Sequence, residues 1–153
     1  GQEKYLLLEV ELPPTRSGRS RDVADVTVTY TNLATHQTDR LTRAVSARFT
    51  DSLAEVERHE NRDVMVAVIE QIATEKNKLA LELRDQGKIE EARGVLIENA
   101  RVLREHATRY QSDRLESYFN QQLGDSSNLE GEKWKAGRKS MREGQFRNAQ
   151  QQQ

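Results

Sequence analysis

The chain has 153 residues, of which 35% are hydrophobic, 5% aromatic and 32% charged, leaving few apolar side chains to offset the chain entropy of a large compact globule. Lys and Arg number 24 against 25 Asp and Glu, so a net charge of −1 supplies no overall field to draw in nucleic acid or anionic lipid. The absence of cysteine excludes disulfides, thiolate nucleophiles and cysteine zinc sites, and no run approaches the roughly 20 apolar residues that span a bilayer.

The stretch KYLLLEVEL, residues 4–12, places Leu6, Leu8, Val10 and Leu12 on one face of a strand and Tyr5 and Leu7 on the other. Pro13 and Pro14 stop it, because proline has no N–H to give a ladder. Apolar surface on both faces suits an interior strand, so the expectation is either a homodimer formed through Leu6, Leu8, Val10 and Leu12 or a monomer whose helices wrap over the strand. Gly1-Gln2-Glu3 carries neither an initiator methionine nor the basic and apolar regions of a signal peptide, which is the start expected of an excised fragment. The loop PPTRSGRSRD holds Arg16, Arg19 and Arg21 with no aromatic residue among them, and reads as a solvated loop rather than a phosphate site.

DVADVTVTYTNL sets Val26, Val28 and Tyr30 against Asp25, Thr27 and Thr29, as an antiparallel strand with one wet face should. After a turn at residues 32–37, DRLTRAVSARF sets Leu41, Val45, Ala47 and Phe49 against Arg40, Thr42, Ser46 and Arg48. The two strands predict a hairpin with one apolar side that something must cover.

From Thr50 the period changes. Ser52 and Glu55 have capping-box spacing and Asn61 offers a second cap, so residues 52–60 form a short separate turn before a longer helix. Val64, Val68, Ile72, Leu79, Ala80 and Leu83 continue near helical spacing to Asp85, and Gly87 supplies the left-handed residue that ends it. The next helix spans about residues 89–110, with Ala92, Leu96, Ala100, Leu103 and Ala107 in line. So short a turn forces the two helices to pack antiparallel. The residues expected to make that packing are Ala80, Leu83, Gly87, Ala92 and Leu96.

Residues 113–123 predict a third helix burying Leu115, Tyr118 and Phe119, ended by Gly124 to Asn128. A short helix with Trp134, Arg138 and Met141 on one side follows. GQFRNAQQQQ has too little apolar content to pack, so residues 144–153 are expected to form a disordered tail.

Catalytic chemistry finds no foothold. His36, His59 and His106 are far apart in sequence, and His59-Glu60 leads to Asp63 where the zinc-protease motif has its second histidine. There is no Gly-x-Ser-x-Gly elbow, Walker loop or Gly-x-Gly-x-x-Gly, and the many carboxylates fit solvated helix faces. The chain is therefore expected to be no enzyme and to hold no cofactor or metal.

The spacing of Ala80, Leu83, Gly87, Ala92 and Leu96 resembles a tetratricopeptide helix pair, although Arg104 stands in the region where that repeat usually ends in proline and no second copy follows. The order of blocks KYLLLEVELPP, DVADVTVTY, VSARFTDSLAEVE and VAVIEQIATEKNKLALELRDQGKIEEARGVLIENARVL resembles the region C-terminal to the von Willebrand factor type A domain in bacterial proteins. The resemblance covers about residues 4–109. Such proteins carry a metal-dependent adhesion motif, Asp-x-Ser-x-Ser, in the type A domain, and this chain lacks it: in DSSNL, Leu129 stands where the second serine would be. The resemblance implies a non-catalytic structural and protein-interaction module accessory to a type A domain outside this chain; a repeat-like peptide-binding helical receptor is the alternative. The expected fold is α+β: a three-stranded antiparallel sheet over residues 4–50, a long helical hairpin over 51–110, a weaker helical extension over 111–143 and the tail. The expected partner is a protein, with no nucleic acid and no membrane, and the cysteine-free composition favours the cytoplasm.

Overall fold

The computed structural model describes residues 7–150, and the fold is α+β. In chain order the elements are β1 (Ser20–Asn32), β2 (Gln37–Arg48), α1 (Leu53–His59), α2 (Arg62–Asp85), α3 (Ile89–Tyr110), α4 (Asp113–Ser127) and α5 (Gly131–Ala149). Two compact units result, one of Leu8–Glu60 and one built on the chain from Asn61 onward. The division falls at Asn61, whose side chain accepts hydrogen bonds from Asp63 N and Val64 N and so starts α2.

In the first unit β1 and β2 pair antiparallel from Ser20↔Arg48 to Asn32↔Gln37, with a bulge between Asp22 and Ala24. Asn32 builds the turn: its Oδ1 accepts from Ala34 N at 3.0 Å and its Nδ2 donates to Asp39 Oδ2 at 2.8 Å. The ladder ends beside a second turn, where Gly18, at φ +82°, donates its N–H to Phe49 O. Ser52 Oγ accepts from Glu55 N and caps α1, but the Glu55 carboxylate turns outward to accept from Thr50 Oγ1 at 2.6 Å, so half of the expected capping box forms.

The expected three-stranded sheet is not shown among the described residues. Among the described residues the sheet has two strands, and residues 7–12 belong to neither; Leu6 lies outside the described residues. Alternation supplies a face, but a strand also needs a neighbour to take its N–H and C=O groups.

The second unit is a helical bundle in which α2 packs on α3, α3 on α4 and α5 on α2. At Gly87, φ +83°, the Gly87 N–H reaches Arg84 O and the Lys88 N–H reaches Leu83 O, which satisfies the last carbonyls of α2 and turns the chain back as α3. One apolar cluster joins Val66, Ile69, Ala73, Ala100, Leu103, Ala107, Tyr110, Leu115, Tyr118 and Phe119. A second joins Ala80, Leu81, Ala92, Leu96, Leu129 and Met141.

Three expectations need correction in this unit. The buried row of α2 is Val66, Ile69, Ala73, Ala80 and Leu81, whereas Val64, Ile72 and Leu79 point outward. The inward row was hidden because Glu70, Thr74 and Asn77 share it. Secondly, α4 does not end at Gly124: it continues to Ser127 with Asp125 and Ser126 buried. Lastly, residues 144–149 are helical, not a disordered tail. They are held by polar contacts that an apolar count misses: Gln145 Nε2 donates to Asn77 Oδ1 at 2.7 Å, and Asn148 Nδ2 to Thr74 Oγ1 at 3.0 Å.

Candidate interaction surfaces

The apolar side of the hairpin follows from its register. Ala24, Val26, Val28 and Tyr30 stand opposite Val45, Arg43, Leu41 and Asp39, and residues directly opposite share a face. The other face pairs Asp25, Thr27, Thr29 and Thr31 with Ala44, Thr42, Arg40 and Thr38, with the Thr27 and Thr42 hydroxyls 3.4 Å apart. Both faces are wet: Val28 is 51% exposed, Leu41 59% and Val45 45%, and no residue of either strand is buried. Residues 7–12 are likewise uncovered, with Leu8 70% exposed and only Leu12 half-buried. Of the expected contact strand, the described residues 7–12 lie in no strand.

A second apolar surface lies on α2, where Val64, Ile72 and Leu79 are exposed along its outer side, with Val68 half-buried between them. Spacings of four and seven residues keep them on one side of the helix. A third feature is an open groove of about 720 Å³ between α2 and α5, lined by Lys78, Leu81, Glu82, Asp85, Arg142 and Phe146 among others. Its charges are mixed, and two of them pair with residues outside the lining: Lys78 with Glu75 at 2.6 Å, and Asp85 with Arg138 through two bonds at 3.0 and 2.6 Å. That last pairing holds the Asp85 carboxyl below its ordinary range.

The predicted helix-packing residues come together. Ala80, Ala92 and Leu96 are fully buried in one cluster, Leu83 packs against it half-buried, and Gly87 makes the turn. Alanine at 80 and 92 lets α2 and α3 approach closely just beyond that turn.

Sequence reading missed a buried polar layer. Along α2, α3 and α4, polar residues separate the two apolar clusters: Thr74 and Asn77, then Asn99, then Gln122 and Asp125. One backbone carbonyl fixes the orientation of the amides. Ala73 C=O can only accept, so Asn99 presents Nδ2 to it at 2.8 Å. The same Nδ2 then donates to Gln122 Oε1 at 3.0 Å, and Asn77 Nδ2 donates to Gln122 Oε1 at 3.1 Å and to Asp125 Oδ2 at 3.2 Å. Gln122 Nε2, on a fully buried residue, has no hydrogen-bond partner among the described residues. Burial pushes the Asp125 carboxyl up to about 6 against the lowering effect of hydrogen bonds from Asn77 and Gln121, and burial pushes the Tyr118 hydroxyl up to about 12. Arginines close the surrounding helix ends: Arg62 donates to Tyr110 O and Gln111 O, Arg84 to Leu129 O and Arg93 to Ser126 O. Arg114 pairs with the buried Glu70 through two hydrogen bonds. The sequence signal was present, since Asn77, Asn99 and Gln122 lie at helical spacing within the apolar rows.

The side chains of this layer bond mainly to one another and to neighbouring helix groups. Among the described residues no group of three or more His, Asp or Glu is placed to hold a metal ion, and no helix is long and apolar enough to cross a membrane. Comparison with family models, curated proteins and solved structures found no match to this chain.

Proposed function

We propose that the chain is a non-catalytic structural and protein-interaction module accessory to a type A domain: the helical unit is a rigid body, and the hairpin and the outer row of α2 are the surfaces presented to a protein partner. One observation carries this reading. The helical unit completes its own core, while the hairpin holds a patterned apolar side, Val26, Val28, Tyr30, Leu41 and Val45, out in solvent. An isolated two-stranded hairpin is marginally stable in water, and contiguous exposed apolar patches mark interaction sites more often than scattered apolar residues do. The link to a type A domain rests on the resemblance of the ordered blocks through residue 109.

The alternative, a helical peptide receptor, is favoured by the groove between α2 and α5. The coding sequence upstream of Gly1 separates the two. An Asp-x-Ser-x-Ser motif after a strand there, together with titratable binding of that separately made domain to this chain, supports the first reading, and Val28→Lys should abolish the binding. Further helical hairpins in place of the motif, or a type A domain that gives no binding heat, would overturn it.

A further inference from the structure

We infer that the free edge of β2 is a strand-docking site, and that its occupant is the segment of residues 8–12 from a second copy of this chain. The inference rests on the hairpin being the partner-facing surface and names one partner for it.

The two edges of the hairpin are not equivalent. The β1 edge is interrupted by the bulge between Asp22 and Ala24, and its charges are Arg21 with Asp22 and Asp25, a net negative set; bulges and charges protect an edge from pairing. The β2 edge has a regular ladder, every residue from Arg40 to Ser46 is exposed, and its charges are Asp39 with Arg40, Arg43 and Arg48. Residues 8–12, LEVEL, carry two negative charges, Glu9 and Glu11. An acidic strand is repelled by the β1 edge and drawn to the β2 edge.

Side-chain pattern then selects a register. If Val10 stands beside Arg43, Leu8 and Leu12 stand beside Leu41 and Val45, whichever way the added strand runs, because the apolar residues of both segments repeat with period two. The three apolar side chains extend the face that already holds Val26, Val28, Leu41 and Val45. Glu9 and Glu11 fall on the opposite face, next to Thr42 and Ala44, and one of them is diagonal to Arg40. Pro13 and Pro14 end the added strand at Leu12. In the single chain, residues 8–12 lie in no strand, and a second copy offers the same edge in return. Reciprocal addition about a two-fold axis gives each copy the third strand it lacks.

Since the chain has no native cysteine, Val10→Cys with Arg43→Cys is a clean probe. At about 100 micromolar, light scattering should give twice the 17.6 kDa chain mass, and mild oxidation of the double variant should give a covalent dimer that neither single variant gives. Glu9→Lys with Glu11→Lys should weaken the dimer about tenfold, and adding Arg40→Glu should restore part of that loss. Glu9→Lys with Glu11→Lys, which lie outside the hairpin, should leave the helical circular dichroism signal and binding of a type A domain unchanged, so the dimer and the accessory role fail separately. A monomer at that concentration overturns the inference. So does a monomer whose two cysteines have joined within one chain, which assigns the edge to its own segment, and so does a dimer indifferent to charge inversion.

Discussion

Leu96, Leu103 and Leu115 in the helical unit are fully buried, whereas in the hairpin Leu41 and Val28 stand about half in solvent. Both units are patterned for burial, so the difference lies in layers. Three helices enclose a volume among them, while a two-stranded ribbon has two faces and encloses nothing. Every buried apolar side chain among the described residues therefore lies in the helical unit, and the apolar residues of the two-stranded ribbon stay exposed. The helical unit also tolerates a polar layer that would be costly in isolation, because Asn77, Asn99 and Gln122 share donors and acceptors.

The sharpest test of this contrast is a truncation in the helical core. Leu103→Ala should lower stability by about 2 to 5 kcal/mol through lost burial and a cavity, read as a fall in the midpoint of urea unfolding. If Leu103→Ala left that midpoint where it was, the helical core would not be the seat of stability.

A somewhat smaller effect should come from pH. The Asp125 carboxyl is raised from an ordinary 3.8 to about 6 in the folded protein, so the folded state holds this proton more tightly than the unfolded chain. This group's contribution is fully present below about pH 4 and is lost as pH rises through 6, a total of about 3 kcal/mol. Asp125→Asn keeps an oxygen for Asn77 Nδ2, and should flatten the dependence between pH 4 and 7 and raise the thermal midpoint at pH 8. A variant with the wild-type slope would remove Asp125 as its source.

Ala92→Leu should follow, at about 1 to 3 kcal/mol, because Ala92 is fully buried where α2 and α3 meet and the added atoms have no room. Thermal melting at neutral pH measures it, and an unchanged midpoint would place the close approach elsewhere. Smallest of all, Val28→Thr in the hairpin should shift the helical melting transition by no more than about 0.5 kcal/mol, the range of exposed substitutions. A large shift there would show that the hairpin contributes to the helical core after all.

Much of the helical unit was legible. Ala92, Leu96, Ala100, Leu103 and Ala107 form one unbroken apolar row in the sequence and are all buried, and Gly87 marked the turn because few other residues accept its backbone angle. The α2 row was misread because two rows compete on that helix, and the more apolar one, Val64, Ile72 and Leu79, faces outward. The end of α5 was missed for a related reason: Gln145 and Asn148 dock through hydrogen bonds to Asn77 and Thr74, partners on a helix more than sixty residues earlier that no local window contains.

The sequence by itself determined the class of fold, the two strands of the hairpin with their alternating faces, the caps at Ser52 and Asn61 and the turn at Gly87, because caps, turns and periodicity are local properties of the chain. Only the tertiary structure decided which side of α2 is buried, how the amides of Asn77, Asn99 and Gln122 are oriented, and that residues 7–12 remain outside the sheet. Each of these depends on a group brought from far along the chain, or on one that does not arrive, and pattern alone carries no record of such meetings.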